Sequence, residues 1–315
     1  MTGAPTRLVC LDTVMIDFAL IVGTLPERGG DELATRRVMT AGGGFNVMSA
    51  ARRQGADVLY VGQLGRGRFA DVAGDLLSRE GIEVAVEARG DEDLGVCVVL
   101  VDRAGERTFV TSPGAELSVR AEDLDATVPA PGDVVYVSGY NVVYPELAPL
   151  VSDWLDTLSP EVTVAFDPGP RVADIAPGVL ERVLERTDWL LCNTAEARLW
   201  CGDQGAAQCA LALAARGAHA LVVVRDGERG CVAASGGEVV RSPGFIAHVI
   251  DTNGAGDVHN GVVIAELMRG TVLVEALARA NAAASIAIES FGPATCPTRN
   301  LVDALLVASP GAPAD

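Results

Sequence analysis

Across 315 residues, 49% hydrophobic and 21% charged with 35 glycines and 16 prolines, the composition excludes a largely disordered, collagen-like or fibrous chain. Forty-two acidic against 24 basic residues give a formal charge of -18, and all 24 basic residues are arginine because the sequence has no lysine. A P-loop lysine, a protein-kinase strand lysine and a lysine Schiff base are therefore excluded, and a nucleic-acid or acidic-membrane surface is disfavoured, whereas a local site for a phosphorylated small molecule is not.

In chain order, Arg7 to Leu11 reads as a short buried strand, followed by an apolar run from Val14 to Val22 that Asp17 breaks. Pro26 to Asp31 is a turn, and Leu33 to Met39 fits a strand with its arginines toward solvent. The cluster Gly42-Gly43-Gly44 runs into a helix over Phe45 to Gln54, in which Asn46 could cap and Phe45 could be core or cleft wall. Val58 to Val61 and Phe69 to Arg79 continue a strand and helix rhythm. Between 94 and 111 the rhythm gives way to a β-hairpin, Gly95 to Val101 and Arg107 to Thr111, turning at Asp102 to Gly105. From 134 the alternation resumes: strands 134–138, 162–166, 189–192 and 220–224, with helices 145–158, 176–186 and 204–216. A second hairpin spans Gly230 to Val240, helices follow at 256–269, 272–288 and 299–308, and Ser309 to Asp315 is expected to fray. This order predicts one α/β domain over 1–315, a doubly wound and mostly parallel sheet flanked by helices. A small β-rich lid would be assembled from 14–39 and 94–111. The seven cysteines form no CxxC pair and the three histidines no HxxxH pair, so buried free thiols are expected rather than a zinc site. No apolar run reaches the ~18 residues of a membrane helix, and the expected compartment is the cytoplasm.

The most informative stretch is Asp251-Thr-Asn-Gly-Ala-Gly-Asp257-Val-His-Asn-Gly261, which opens an apolar helix. Gly254, Ala255 and Gly256 place small residues where backbone amides lack helical partners, an arrangement that stabilises a phosphate without lysine. Asp257 in the first turn cannot bind that phosphate but can take a proton from a hydroxyl. The competing local reading is an ordinary helix start, with glycines for the turn and Asp257 for the dipole. Asn193 and Glu196, three apart, likewise suit a capping box. Asp17 would face solvent on an edge strand or accept hydroxyls in a cleft, with the edge favoured on local grounds. Arg107 would be a solvent-facing hairpin residue, and Arg171 could pair with Asp167 or meet a ligand at a strand end. Tyr140, just past strand 134–138, is another candidate for the cleft.

From Asp251 to Gly261 the chain resembles the ribokinase-like sugar kinases, the PfkB carbohydrate kinase family. The resemblance extends over essentially the whole chain: Ala41-Gly-Gly-Gly-Phe45-Asn46, Asn193-Thr-Ala-Glu196, Gly227-Glu-Arg-Gly230 and Asn281. Ser138-Gly-Tyr140, Asp167-Pro-Gly-Pro-Arg171 and His259 look like an uncharacterised bacterial subgroup. It implies ATP-dependent phosphorylation of a hydroxyl on a small sugar or polyol, with Asp257 as general base and Gly254, Ala255 and Gly256 as anion hole. It implies an acceptor site at Asp17, Gly43, Gly44, Asn46, Arg107, Tyr140 and Arg171. Nucleotide contacts would come from Asn193, Glu196, Arg225, Gly227, Gly230, Thr252, Gly254, Gly256 and Asn281. Glu196 would hold Mg²⁺ through water, and Asp251 with Asn253 would serve a monovalent cation such as K⁺. Where many relatives have Gly-Gly-x-x-x-Asn the chain starts on Ala41, and a ribokinase lysine is replaced by Gly43. Where relatives have Thr-Leu-Gly it has Arg225-Asp226-Gly227. A nucleoside kinase and a non-catalytic sugar- or nucleotide-binding regulator are the alternatives. The lid would exclude water from phosphoryl transfer, and a homodimer through the lid would cover its sheet edges.

Overall fold

The computed structural model describes residues 6–103, 106–217, 219–292 and 295–308. Ala104 and Gly105 of the expected hairpin turn, and the expected fray at Ser309 to Asp315, lie outside the described residues. The chain opens with β1 (Arg7–Leu11), β2 (Val14–Ile21), β3 (Arg36–Gly43), α1 (Gly44–Arg53), β4 (Asp57–Tyr60) and α2 (Arg68–Glu80). It continues through β5 (Glu83–Val84), β6 (Val96–Val101), β7 (Arg107–Ser112), α3 (Ala121–Asp125), β8 (Val134–Ser138), α4 (Gly139–Val143) and α5 (Ala148–Thr157). Next come β9 (Thr163–Asp167), α6 (Pro177–Arg186), β10 (Trp189–Asn193), α7 (Thr194–Cys201), α8 (Ala206–Arg216) and β11 (Leu221–Arg225). β12 (Cys231–Ser235), β13 (Glu238–Ser242), α9 (Ala255–Met268), α10 (Leu273–Ala287) and α11 (Arg299–Ala308) complete it.

Among the described residues, nine strands form one sheet in the order β13-β12-β11-β10-β9-β8-β1-β4-β5. It is parallel from β11 to β5, and only β12 is reversed, pairing antiparallel with both β11 and β13. Because side chains alternate across a strand, each central strand feeds two cores. Leu8, Cys10, Val58, Tyr60, Val134 and Tyr136 meet α1, α2, α9 and α10 on one face. Val9, Leu11, Val135, Val137, Val164 and Phe166 meet α5, α6 and α8 on the other. α9 is buried from Val258 to Glu266 and so has no polar face. It packs against α1 so closely that a Cβ on Gly261 would lie 2.4 Å from the Val47 carbonyl oxygen, which explains the last glycine of the motif.

A second sheet, β3-β2-β6-β7, stands apart from the first. β2 pairs with β3 antiparallel and with β6 parallel, and β6 with β7 antiparallel. This arrangement moves the expected strand at Leu33 to Met39 toward the C-terminus, because residues 40–43 still pair with β2, and Gly42 and Gly43 end a strand rather than form a loop. Four short elements, β5, α3, α4 and α7, lie outside the expected rhythm. Six of the seven cysteines are buried, Cys201 is half-buried, and all seven are free thiols. No described helix is long and apolar enough to cross a membrane.

Candidate active site

The parallel strands β1, β8, β9, β10 and β11 end side by side, and their carboxyl ends open into a cleft of about 640 Å³ roofed by the second sheet. A further cavity of about 560 Å³ lies against α6 and α8, away from those strand ends. Gly254, at φ 75°, caps α9 and aims its first turn into the cleft. The amides of Gly256 and Asp257 have no partner among the described residues, whereas the Ala255 amide makes a long 3.3 Å bond to the Thr252 carbonyl. The Gly254 amide likewise has no partner among the described residues, so the free donors at the helix start are those of Gly254, Gly256 and Asp257, within and just beyond the expected Gly254 to Gly256 hole.

The Asp257 carboxylate borders the cleft and accepts a 3.0 Å hydrogen bond from Asn46 Nδ2. Asn46 is not a cap: Gly43 occupies that position without a side-chain cap, and the amide of Asn46 is turned inward from α1. Burial raises the pKa of Asp257 to about 6, and Asp167 adds to the rise, while Asn46 and Arg225 oppose it. Asp17 is not an edge residue. β2 lies inside its sheet, and Asp17 points into the cleft, 8% exposed, where Asn253 hydrogen-bonds it. Burial, reinforced by Asp257, lifts it to about 7.

The glycine cluster makes room for carboxylates. A Cβ on Gly42 would lie 2.3 Å from an Asp17 oxygen, and one on Gly44 would lie 2.7 Å from the Asp12 Cβ. Asp12 is a further cleft residue, which the sequence pattern does not single out. It is 5% exposed and follows β1 into the cleft, with Oδ1 accepting from Ser138 Oγ at 2.5 Å and from the Thr13 amide at 2.7 Å. Burial raises its pKa to about 7, the Ser138 bond opposes that rise, and Asp257 adds to it.

On the opposite side, Arg225 ends β11 beside Gly256 and donates to Asp167 Oδ2 at 3.0 Å and to Asn260 Oδ1. Asn260, another residue not singled out, closes the ring by donating to Asp167 at 2.6 Å. Burial works against the Arg225 charge, yet Asp167 and Glu196 together hold its pKa above the ordinary arginine value. Asn193 and Glu196 form the expected capping box at the start of α7. Both also border the cleft, and burial with the Asp167 charge lifts Glu196 to about 7. The two readings of that pair coexist.

Gly43, Tyr140, Thr252, Asn253 and Gly254 also border the cleft. Arg171 borders it too, but pairs with Asp174 at 2.9 Å and not with Asp167, which is committed to Arg225. Arg107 is no solvent-facing hairpin residue. It reaches from β7 to Asp251 at 3.2 Å and to Thr252 Oγ1 at 2.6 Å, tying the small sheet to the glycine-rich loop. The Asp251 oxygens accept from Arg107 and from the amides of Asn253 and Gly292, so donors already surround the position expected to serve a monovalent cation. Gly44, Gly227 and Gly230 lie off the cleft. So does Asn281, whose amide donates to Ser242 and to the Pro243 carbonyl. Phe45 belongs to the core. His259 is buried with its pKa pushed down to about 3 by burial, so it offers no charge.

The family model described as pfkB family carbohydrate kinase matches residues 5–300. The chain is 30% identical over 297 residues to the uncharacterized sugar kinase YegV of Escherichia coli (strain K12), which covers 93% of this chain and 91% of that relative. Its fold is similar to a ribokinase from Thermotoga maritima, with a TM-score of 0.79 at 23% identity, covering 96% of this chain and 99% of that one. It is similar also to an adenosine kinase from Sinorhizobium meliloti, with a TM-score of 0.83 at 21% identity, covering 97% and 100%.

Proposed function

The chain belongs to the pfkB family of carbohydrate kinases, ribokinase-fold enzymes of ATP-dependent phosphotransfer onto a small sugar or nucleoside hydroxyl, and we propose that its acceptor is a sugar or polyol with Asp257 as general base. The observation that carries this reading is the position of Asp257: first turn of α9, bordering the cleft, one residue past the free Gly256 amide and oriented by Asn46. With a pKa near 6 it is ionised at neutral pH and still basic enough to receive a proton. As the acceptor oxygen bonds to the γ-phosphorus and the bond to the ADP oxygen breaks, the hydroxyl proton passes to Asp257. The Gly256 and Asp257 amides face the charge on the transferring group, and Arg225 lies alongside.

Magnesium fits this end of the cleft: Glu196 is a carboxylate fixed by Asn193, and magnesium held through water and phosphate oxygens would shield the phosphate charge without a dense ligand cluster. Asp17 and Asn46 suit acceptor hydroxyls, because a carboxylate accepts and an amide both donates and accepts. The sheet of β2, β3, β6 and β7 serves as a lid, latched by Arg107. Its face away from the cleft exposes Met39 and Val110, which supports pairing of two copies there. A nucleoside acceptor is the second reading, favoured by Phe109, Tyr140 and Tyr144 at the cleft wall. ATP consumption across pentoses, hexoses, alditols and nucleosides, with product mass, tests the assignment. Phosphorylated sugars or alditols support it, phosphorylated nucleosides alone favour the second reading, and no product in any class rejects both.

A further inference from the structure

The acceptor end of the cleft carries two carboxylates, Asp12 and Asp17, on which no cation among the described residues acts, whereas Asp257 feels the Arg225 charge. Asp12 Oδ1 is engaged by Ser138 and Thr13, but Oδ2 has no hydrogen-bond partner among the described residues, although the residue is only 5% exposed and borders the cleft. Asp17 is held by the neutral Asn253 and Asp257 by the neutral Asn46. The arginines bordering the same cleft are each committed elsewhere: Arg225 to Asp167, Arg107 to Asp251 and Arg171 to Asp174. His259 is neutral and buried.

These carboxylates are built in, since Gly42 and Gly44 leave the space that Asp17 and Asp12 fill. Asp257 lies close enough to act on each of them, because its charge raises the pKa of both Asp12 and Asp17. No described group of three His, Cys, Asp or Glu is placed to hold one metal ion, so an organic cation fits the deficit better. A neutral acceptor would leave Asp12 and Asp17 repelling the base. A protonated amine would give them a partner and donate three hydrogen bonds.

Resting on the kinase reading above, we propose that the acceptor bears an ammonium group as well as the reacting hydroxyl, as in an amino sugar or amino polyol. Asp12 and Asp17 receive the ammonium and Asp257 faces the hydroxyl. The amine keeps its proton throughout, and only the hydroxyl proton moves.

Matched pairs test this in the wild-type protein: kcat/KM with ATP for D-glucosamine against D-glucose, D-galactosamine against D-galactose, and 1-amino-1-deoxy-D-sorbitol against D-sorbitol. The amine should win by about tenfold or more in at least one pair, the size of one charge pairing. Asp12→Asn should bring that ratio to within about threefold. Neutral members that equal or exceed the amines in every pair overturn the proposal while leaving the kinase standing. If no member of any pair is phosphorylated, calorimetry of the three amines without ATP decides. Binding that Asp12→Asn abolishes keeps the ammonium site and sets aside the phosphotransfer assigned to it; no amine binding to the wild type overturns the site.

Discussion

The two ends of the cleft handle charge in opposite ways. At the strand ends of β9 and β11, Arg225, Asp167 and Asn260 close a hydrogen-bonded ring with Glu196 nearby, and the buried positive charge meets negative ones. At the other end, Asp12, Asp17 and Asp257 line the cleft with neutral hydrogen-bond partners, and of the three only Asp257 feels the Arg225 charge. The first arrangement is settled before any ligand arrives, and rigidity suits a surface that must align a polyphosphate. The second is electrostatically incomplete, which keeps pKa values near neutrality and leaves hydrogen-bonding capacity for an acceptor.

The largest expected effect comes from removing the base. Asp257→Asn should lower kcat by about 10²–10⁴-fold while nucleotide binding, followed by calorimetry, changes little. Breaking the paired end should instead appear in stability. Arg225→Met leaves Asp167 and Glu196 buried without their cation and should cost about 3–5 kcal/mol in urea unfolding. Adding Asp167→Asn should recover part of that stability, and no recovery would mean that the pair is not the cause.

The unpaired end should respond with the opposite sign. Asp17 has a folded pKa of about 7, above the ordinary aspartate value of about 3.9, so its stabilising contribution is complete below the lower value and lost as pH rises through the upper one. Asp17→Asn should therefore raise stability at pH 8 by on the order of 1–3 kcal/mol, an advantage that disappears by about pH 4. It should also weaken acceptor binding. Equal unfolding midpoints at pH 8 would contradict the proposed strain. The smallest effect is expected at the latch. Arg107→Ala should raise the acceptor KM by about threefold to tenfold and speed amide exchange in β6 and β7, since it removes one partly exposed ion pair.

Much of the fold was legible because apolar runs bounded by turn residues mark buried parallel strands. α3 and α4 were not, being only 5 residues each. The motif from Asp251 to Gly261 located Asp257 at the cleft, but neighbours in space were harder to read. Arg171 could reach Asp167 or Asp174 by spacing alone, and only the β9–β11 geometry assigns Asp167 to Arg225. Asn281 sits among alanines that suit a ligand or a packed helix equally, and the fold uses it to hold carbonyls after β13. Asp12 had a usable signal: a carboxylate immediately after the first strand, where α/β sheets bind ligands. Asn260 had one too, as an amide one turn beyond Asp257 in a helix that is otherwise largely apolar.

The base assignment is tested most directly by the pH dependence of kcat/KM in the wild type, Asp17→Asn and Asp257→Asn, on whichever acceptor is phosphorylated. The wild type should lose activity tenfold per pH unit below about 6, where Asp257 takes up its proton. Asp17→Asn should keep that acid limb, and the residual activity of Asp257→Asn should lack it. An acid limb that persists in Asp257→Asn with its position unchanged would contradict Asp257 as the base.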